Sequence, residues 1–549
     1  MKKFGIAFLA ILLVASMLLV GCANKEENPP AQTSGVADET TTAPESTTED
    51  NTPVTVKRTY MPEAVFAELK NLFESKSASF KAYSTNSAPY AIRDVMNISD
   101  GTLKSVTVPV AATKAADGNG DFVLTMYVMN NSYAGLKSAP LREYKLKVNG
   151  ASAGLTANNS AVYRFVKIDL SGYDVTLSAE ETVAFFHKND TLVPAYLLKD
   201  ETHQNKALNL LKEKFAQTTG FFMKVGTANL DTSLATLFYD FEFEKTYPNK
   251  AAYQAILDEE TTYQNMVADL KAQYSGKRIS IIGDSISTFN GVSNGTSYNS
   301  TIGGNAVWYP TNNSNLTSYT DTYWGRLIED LGMELCVNNS WSGSRIYGNV
   351  SKNCQGNMLV RATELDNDNG TPNDPSDDIN PDVIFVYMGI NDLHTGTPND
   401  ATLYSALTAA GADKKAVMEN WISSVIATAE ANGSTVVGGK TYTSWEAAYA
   451  LSLRAMKEKY NNPELFCMLL VQTQDTRDTP EKIARHNTCI RAIAEYFGAT
   501  VIDQQADGYV TYENSHAYGS DDSGLHPNPQ GHALMERLIV ESIWKKKNA

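Results

Sequence analysis

Five short apolar runs, spaced by stretches of helical composition, dominate the second half of the chain. They read RISIIG, ELCVNN, DVIFVYMG, LFCMLLVQTQ and ATVIDQ, in that order. Apolar strands that alternate with helices predict a parallel sheet covered by helices on both faces. In such sheets ligands bind beyond the carboxyl ends of the strands, so functional side chains are expected at that edge. We assign this α/β domain to residues 277–549.

The preceding region, residues 57–247, has a different pattern. Short alternating segments rich in β-branched and aromatic residues, such as DFVLTMYVMN and REYKLKVNG, are separated by Gly, Asn and Asp. This spacing predicts an accessory β-sandwich domain. Glycan binding and a purely structural role both stay open, and the absence of tryptophan from this region weakens the first. Residues 248–276 have helix-forming composition up to a terminal glycine and predict a helical joint.

The first 21 residues resemble a bacterial lipoprotein signal peptide. Two lysines precede an apolar run that ends in LVGC, the residues up to Cys22. The resemblance implies cleavage before Cys22 and diacylation of that cysteine, hence a lipid anchor on the extracytoplasmic face of a bacterial membrane. A plain secretory signal is the alternative. Residues 22–56 are rich in Thr, Pro and Glu and predict a disordered tether.

Charge and cysteine content exclude several classes of protein. The net charge is −16, and loss of the two lysines in the leader brings the mature chain near −18, which argues against a nucleic-acid partner. The cysteines form no C-x-x-C pair, so neither a disulfide framework nor a metal site is expected. The acidic tract 366–378 does not fit an EF-hand and is interpreted as a solvated loop, and no cofactor is expected.

Polar residues follow the predicted strands of the α/β domain. Ser285 comes after the first strand, Gly343 lies in the loop after the second, and Asn391 comes after the third. His526 precedes the last helix. Each residue alone has an ordinary interpretation as a turn, loop or cap residue. Together, at one edge of a sheet, they supply a nucleophile, backbone and amide donors, and a general base for acyl transfer.

Four sequence blocks resemble those of the GDSL, or SGNH, hydrolases. GDSIS, NNSWSG, GIND and GLHPN occur in the order of that family across residues 277–547. The resemblance implies a flavodoxin-like three-layer α/β/α fold and a carboxylic ester hydrolase with a Ser285–His526 mechanism. It also implies an oxyanion hole formed by the backbone N–H groups of Ser285 and Gly343 and by the side chain of Asn391.

The residue that orients His526 departs from the family pattern. The expected aspartate, three residues before the histidine, is Ser523 in this chain. We predict that Asp522 takes this role through a shift of one residue in the loop. A backbone carbonyl in a Ser–His dyad and Asp521 are the alternatives.

Composition also bears on the substrate. The inserts of the α/β domain are rich in Asn, Ser, Thr and Gly, and no apolar lid is evident. Trp308 and Trp341 lie in loops and are candidates for stacking on a sugar ring. We therefore expect a secreted esterase that hydrolyses short acyl esters, such as acetyl, on an extracellular polysaccharide. A GDSL lipase or acylhydrolase on lipid esters and a catalytically silent glycan-binding lipoprotein are the alternatives.

Overall fold

The structure is a computed structural model. It describes residues 52–548 apart from these segments: 60–62, 75–79, 83–89, 94–100, 131–139, 158, 179–180, 186, 188, 199–220, 225–234, 237–239, 294–306, 310–315, 317, 348–357, 372–373, 432–441, 508–509, 513–514, 516–517 and 522. The leader, Cys22 and most of the predicted tether lie outside the described residues. Among those residues, no helix combines the length and the apolar composition that crossing a bilayer requires.

Antiparallel sheets make up the region before the joint. Its strands are β1 (Val54–Thr59), β2 (Phe80–Ala82), β3 (Tyr90–Arg93), β4 (Gly101–Ala112), β5 (Asp121–Asn130), β6 (Arg142–Asn149), β7 (Asn159–Asp169), β8 (Thr176–Leu177), β9 (Glu181–Phe185), β10 (Leu192–Leu198), β11 (Phe221–Lys224), β12 (Ala235–Thr236) and β13 (Asp240–Tyr247). Eight strands form a sheet with the path β1-β13-β4-β10-β12, to which β2, β7 and β8 add. Strands β6, β5 and β9 form a second sheet, and β3 pairs with β11.

The two larger sheets face each other across one hydrophobic core. Alternate residues of β4, such as Val106, Val108 and Val110, pack with Leu124 and Met126 of β5 in the same buried cluster. The alternation places every second side chain of a strand on one face, which is why this pattern predicts a sandwich. Two short helices accompany the sheets, α1 (Glu63–Glu74) and α2 (Gly150–Ala153).

A long helix, α3 (Lys250–Tyr274), leads from the antiparallel sheets to the second region. The side chain of Asn249 caps its first turn by accepting from Ala252 N, 2.7 Å away. Tyr263 OH donates to Glu536 Oε2 over 2.9 Å, and Arg537 pairs with Glu260 at 3.2 Å. These buried contacts pack α3 against the end of the chain.

The second region contains one parallel sheet of five strands. They are β14 (Arg278–Gly283), β15 (Glu334–Asn338), β16 (Val383–Tyr387), β17 (Glu464–Met468) and β18 (Thr500–Ile502), in the spatial order β15-β14-β16-β17-β18. Every neighbouring pair is parallel. This order is the flavodoxin-like one. Strand β16 is buried along its whole length, as expected for a central strand with helices on both faces.

Helices of this region lie between and after the strands. They are α4 (Tyr323–Leu331), α5 (Met358–Arg361), α6 (Ile390–Thr395), α7 (Ala401–Thr408), α8 (Lys414–Ala431), α9 (Trp445–Lys459), α10 (Pro480–Tyr496), α11 (Gln504–Asp507) and α12 (Pro529–Lys547). Thr479 and Asn528 cap α10 and α12, each followed by proline in the first turn. These two helix starts match the sequence prediction.

The predicted fold class is confirmed: a flavodoxin-like α/β/α sheet follows antiparallel sheets. Details differ from the sequence prediction. The tether was predicted to extend to residue 56, but β1 begins at Val54 and pairs with β13, so its last residues belong to a sheet. The segment VTLSAEETVAFF, expected as one strand, is divided between β8 and β9. Residues 206–216, KALNLLKEKFA, have a composition that predicts an inserted helix, and they lie outside the described residues.

Candidate active site

The nucleophile candidate Ser285 lies in a single turn of 3₁₀ helix, Ser285–Ser287, directly after β14. The Asp284 side chain caps this turn by accepting from Ile286 N over 3.0 Å. A Cβ on Gly283 would lie 2.2 Å from Ser287 Oγ, so only glycine permits so tight a turn here. The strand end and the cap therefore fix the position of Ser285.

The base candidate His526 reaches Ser285 from the loop before α12. Its Nε2 lies 2.8 Å from Ser285 Oγ, within hydrogen-bond distance, and both residues are only 7% exposed. The carbonyl of His526 accepts from Ser520 N and Oγ, at 2.6 and 3.0 Å, which closes the loop on itself. Two residues 241 positions apart in the sequence thus form the nucleophile–base contact that acyl transfer needs.

The orienting acid in the structure is Asp521, which corrects the prediction of Asp522. Asp521 Oδ2 lies 2.5 Å from His526 Nδ1, and the backbone N–H of His526 donates to the same oxygen over 3.2 Å. Its other oxygen accepts from Ser523 Oγ at 2.9 Å. Asp522 lies outside the described residues. The shift in the loop is therefore two residues rather than one.

The surroundings keep Asp521 ionised. Burial acts to raise the pKa of this carboxyl, but the hydrogen bonds from His526 and Ser523 outweigh burial and lower the pKa below its ordinary value. An ionised Asp521 holds the His526 Nδ1 proton and leaves Nε2 free to accept the proton of Ser285. Ser523 occupies the sequence position of the expected aspartate, and in the structure its hydroxyl donates to Asp521.

The oxyanion-hole candidates lie on the two neighbouring loops. Gly343 has φ +75°, a left-handed conformation that favours glycine, and its surroundings leave room for a side chain, so the backbone is the constraint. Asn391 Nδ2 donates to Ser344 O over 2.9 Å. An amide has two N–H groups, so one such contact leaves a second N–H for a substrate oxygen.

Two buried charged groups brace these loops. Asp392 accepts from the backbone N–H groups of Ile346 and Tyr347 at 2.7 and 2.9 Å, which ties the loop of Gly343 to α6. Arg361 donates to the carbonyls of Gly283 and Asn339, at 3.1 and 2.6 Å. The end of β14 and the loop after β15 therefore share one donor, and this contact keeps their spacing constant.

Burial also changes the protonation of two aspartates near the site. It raises the pKa of Asp284 to about 6, although the Ile286 N–H and the nearby charges of His526 and Arg361 act in the opposite direction. It raises the pKa of Asp392 to about 7 against the backbone donors that favour the ionised form. Both groups therefore change protonation in the range in which enzymes are assayed.

The two candidate tryptophans lie in different surroundings. Trp308 stacks on the ring of His526, with centroids 3.7 Å apart and an angle of 8° between the planes. Trp341 is half-buried, and its Nε1 donates to Asn339 Oδ1 over 2.7 Å. His526 therefore covers one face of Trp308, and Asn339 engages the indole N–H of Trp341.

Among the described residues, one group brings several possible metal ligands together. Atoms of His394, Asp475 and Asp478 lie within 4.8 Å of one another. These atoms already bind each other or a neighbour: His394 Nε2 lies 2.6 Å from Asp478 Oδ1, and Arg477 forms a two-pronged ion pair with Asp475. Each of the three side chains thus already has a partner within the protein. In the acidic tract, Asp366 pairs with Lys459 at 2.8 Å.

Sequence reasoning missed Arg361 and did not predict the contacts of two other contributors to the site. Asp521 was ranked below its neighbour, because residue spacing cannot show how a loop turns. Arg361 lies in a short helix that the apolar pattern did not reveal. The contact of Trp308 with His526 crosses 218 residues, and only the position of Trp308 in an insert after the first strand suggested any role.

Part of the α/β region is similar to a known protein family. Residues 277–418 match the family model described as GDSL-like lipase/acylhydrolase. The match covers 142 of the 549 residues and begins immediately before β14, the strand that leads to Ser285. The matched segment carries Ser285, Gly343 and Asn391, whereas Asp521 and His526 lie beyond it and join the site through the fold. A search of curated proteins finds no match for the chain.

Solved structures similar to this chain include two proteins described as GDSL-like lipases. The one from Bacteroides ovatus is 24% identical, with a TM-score of 0.32, over 50% of this chain and 99% of its own. The one from Bacteroides uniformis is 21% identical, with a TM-score of 0.31, over 50% and 96%. A family two carbohydrate esterase from Clostridium thermocellum, in complex with cellohexaose, is 13% identical, with a TM-score of 0.29, over 85% and 97%. At these TM-scores the solved structures add no argument to the family-model match of residues 277–418.

Proposed function

We propose that this ester hydrolase is a serine esterase that removes short acyl groups, acetyl foremost, from an extracellular carbohydrate. The observation that carries the catalytic part is the continuous chain of contacts from Ser285 Oγ through His526 to Asp521, at 2.8 and 2.5 Å. A serine hydroxyl becomes a useful nucleophile when a neutral imidazole can take its proton and a carboxylate orients that imidazole.

The reaction proceeds in two halves. Ser285 Oγ attacks the ester carbonyl carbon while His526 Nε2 takes the hydroxyl proton, and the N–H groups of Ser285, Gly343 and Asn391 stabilise the tetrahedral oxyanion. The C–O bond to the alcohol then breaks, and His526 gives the proton to the leaving oxygen. Water repeats the sequence on the acyl-enzyme, which frees the acid and restores Ser285.

A polar substrate fits the surface better than a lipid does. Among the described residues the exposed large hydrophobic side chains are Leu141, Tyr496 and Tyr512, which are scattered in sequence. A lipid-binding lid would present a contiguous apolar patch. The inserts of the α/β region are instead rich in Asn, Ser, Thr and Gly. These features support an acylated polysaccharide.

Labelling with a fluorophosphonate tests the nucleophile directly. Mass spectrometry is expected to find the adduct on Ser285, and Ser285→Ala should lose both the label and the hydrolysis of nitrophenyl acetate. Ser287→Ala is the matched control, because it removes a hydroxyl from the same turn. The Ser287 hydroxyl contacts Tyr323 OH rather than His526. Unlabelled wild-type protein without hydrolysis would favour a silent glycan-binding protein.

The chain-length dependence of hydrolysis tests the substrate. We expect kcat/KM to fall from acetate to octanoate nitrophenyl esters, and acetate to be released from acetylated polysaccharides. A rise of kcat/KM with chain length would assign the protein to lipid esters instead.

The location at a membrane surface is also part of the proposal. The LVGC sequence and the tether-like composition up to residue 56 support a diacylated Cys22. Expression of the full chain in a bacterium should place it in the membrane fraction with incorporated labelled palmitate. Cys22→Ser should abolish the label, and label that persists in this variant would contradict the anchor.

A further inference from the structure

Trp308 lies flat against the imidazole of His526. The ring centroids are 3.7 Å apart and the planes are inclined by 8°, close to van der Waals contact over the whole imidazole. The edges of this imidazole are occupied by Ser285 Oγ at Nε2 and Asp521 at Nδ1. Trp308 therefore controls the remaining freedom of His526, which is tilt out of the plane that joins the nucleophile to the acid.

The backbone around Trp308 is attached to both halves of the site. Trp308 N donates to Thr288 Oγ1 over 2.8 Å, and Thr288 Oγ1 donates to Ser285 O over 2.8 Å. On the other side, Tyr309 OH donates to Pro527 O, the residue after His526, over 2.8 Å. Residues 308–309 thus link the turn of the nucleophile to the loop of the base.

The indole is held by packing rather than by its polar atom. Within the described part of the chain, Trp308 Nε1 is buried and has no hydrogen-bond partner. A buried donor without an acceptor costs free energy, so the shape and the π face of the ring, not its N–H, account for a tryptophan at this position.

We infer that Trp308 is a positioning residue for His526, which keeps the imidazole aligned with Ser285 and stabilises the imidazolium that forms in each half-reaction, rather than a platform for sugar. The inference rests on the proposed esterase function. A cation over the face of an indole is attracted by the ring quadrupole, and the attraction strengthens in a site with little water. The imidazolium exists while the tetrahedral intermediate exists, so this contact favours the reacting state over bound substrate.

Other charged groups also face His526. Asp521 contacts its Nδ1, Asp284 interacts from the end of β14, and His532 interacts from α12. Asp521 and Asp284 both favour the imidazolium, whereas a protonated His532 would oppose it. A change of Trp308 fluorescence with pH must therefore be separated from the effects of Asp521, Asp284 and His532. Variants of Trp308 and His526 alone make this separation.

Tryptophan fluorescence tests the contact without any substrate. Protonated imidazole quenches a stacked indole, so the difference in emission between wild type and Trp308→Phe should fall as His526 becomes protonated on acidification. His526→Gln should abolish that titration. The Trp544→Phe difference spectrum is the control, since Trp544 is a half-buried residue of α12 whose Nε1 donates to Asp269. A Trp308 signal that does not titrate, or that titrates unchanged in His526→Gln, would overturn the inference.

Kinetics on nitrophenyl acetate test the role. Trp308→Leu keeps apolar volume without a π face and should lower kcat by roughly 2- to 30-fold with little change in KM. Trp308→Phe should recover most of kcat. A raised KM on a polysaccharide with unchanged kcat on nitrophenyl acetate would instead make Trp308 a sugar platform. Inactive wild-type protein would contradict the esterase function alone, because the fluorescence titration would still report the stack.

Discussion

The two folded regions differ in where their strands end. In the parallel sheet all five strands end at one edge, and Ser285, Gly343 and Asn391 follow three neighbouring strands there. In the antiparallel sheets neighbouring strands end at opposite edges, so polar residues at their ends are divided between two sides. The direction of the strands thus brings polar side chains together at one edge of the parallel sheet and separates them in the antiparallel sheets.

Two buried aspartates show the same contrast in detail. Asp190, in the antiparallel region, accepts from Thr125 N, Thr125 Oγ1 and His187 N, each at 2.7 Å. Asp284, beside the nucleophile, accepts from Ile286 N. Burial raises the pKa of both. The Asp190 carboxylate uses its three donors to hold neighbouring segments together. The Asp284 carboxylate has one such donor and can accept further hydrogen bonds beside Ser285.

The largest expected effect concerns the acid behind His526. Asp521→Asn should lower kcat on the order of 10⁴-fold, because an amide cannot hold His526 in the tautomer that accepts a proton at Nε2. Steady-state hydrolysis of nitrophenyl acetate measures this. Asp522→Asn is the matched control and should stay within about 3-fold of wild type. The reverse order of the two variants would restore the sequence-based choice of Asp522.

The next effect concerns the amide donor. Asn391→Ala should lower kcat by about 100- to 1,000-fold, since the lost N–H points at charge that develops in the transition state. KM should change little, because the ester carbonyl of bound substrate is a weaker acceptor. The ratio of kcat to KM effects is the decisive measurement. A loss of less than about 5-fold would remove Asn391 from the oxyanion hole.

The antiparallel region should respond in stability and not in catalysis. Thr125→Val keeps the shape of Thr125 but leaves the buried Asp190 one donor short, which should destabilise this region by about 1–3 kcal/mol. Thr125→Ser keeps the hydroxyl and is the control. All six tryptophans lie after residue 277, so urea unfolding followed by circular dichroism and by tryptophan emission separates the two regions. A fall in kcat of folded protein would show that the regions are coupled.

Much of this arrangement could be predicted from sequence, for physical reasons. Apolar runs of the β14 type alternate with capped helices, and that pattern restricts the chain to a parallel sheet with one functional edge. The fold and the cluster of Ser285, Gly343, Asn391 and His526 follow from it. Strand β10, which contains Pro194, has no counterpart among the strands predicted from the sequence.

The part of the site that could not be predicted depends on tertiary contacts. Asp521 and Asp522 are chemically identical, and only the turn that brings Asp521 Oδ1 to Ser523 N and Leu525 N decides which carboxylate reaches His526. The role of Arg361 depends on its hydrogen bonds to two carbonyls, one at the end of β14 and one in the loop after β15. No periodicity in the sequence encodes such contacts.

The last expected effect concerns the joint between the two regions. Burial raises the pKa of Glu536 to about 8, although Tyr263 OH donates to this carboxyl and favours its ionised form. A folded-state pKa above the unfolded value means that the folded protein binds more protons. The contribution of Glu536 to the free energy of unfolding is therefore fully present below pH 4.5. It is lost as pH rises toward 8.

Glu536→Gln should flatten this pH dependence, because an amide does not titrate. Each unit of pKa difference corresponds to roughly 1.4 kcal/mol of unfolding free energy. Urea unfolding at pH 5 and pH 8, followed by tryptophan emission, measures the difference, and Glu481→Gln on the exposed start of α10 is the control. Equal pH dependence in wild type and Glu536→Gln would mean that α3 and α12 stay packed whatever the charge on Glu536. The packing of α3 against α12 would then depend on apolar contacts rather than on the protonation of Glu536.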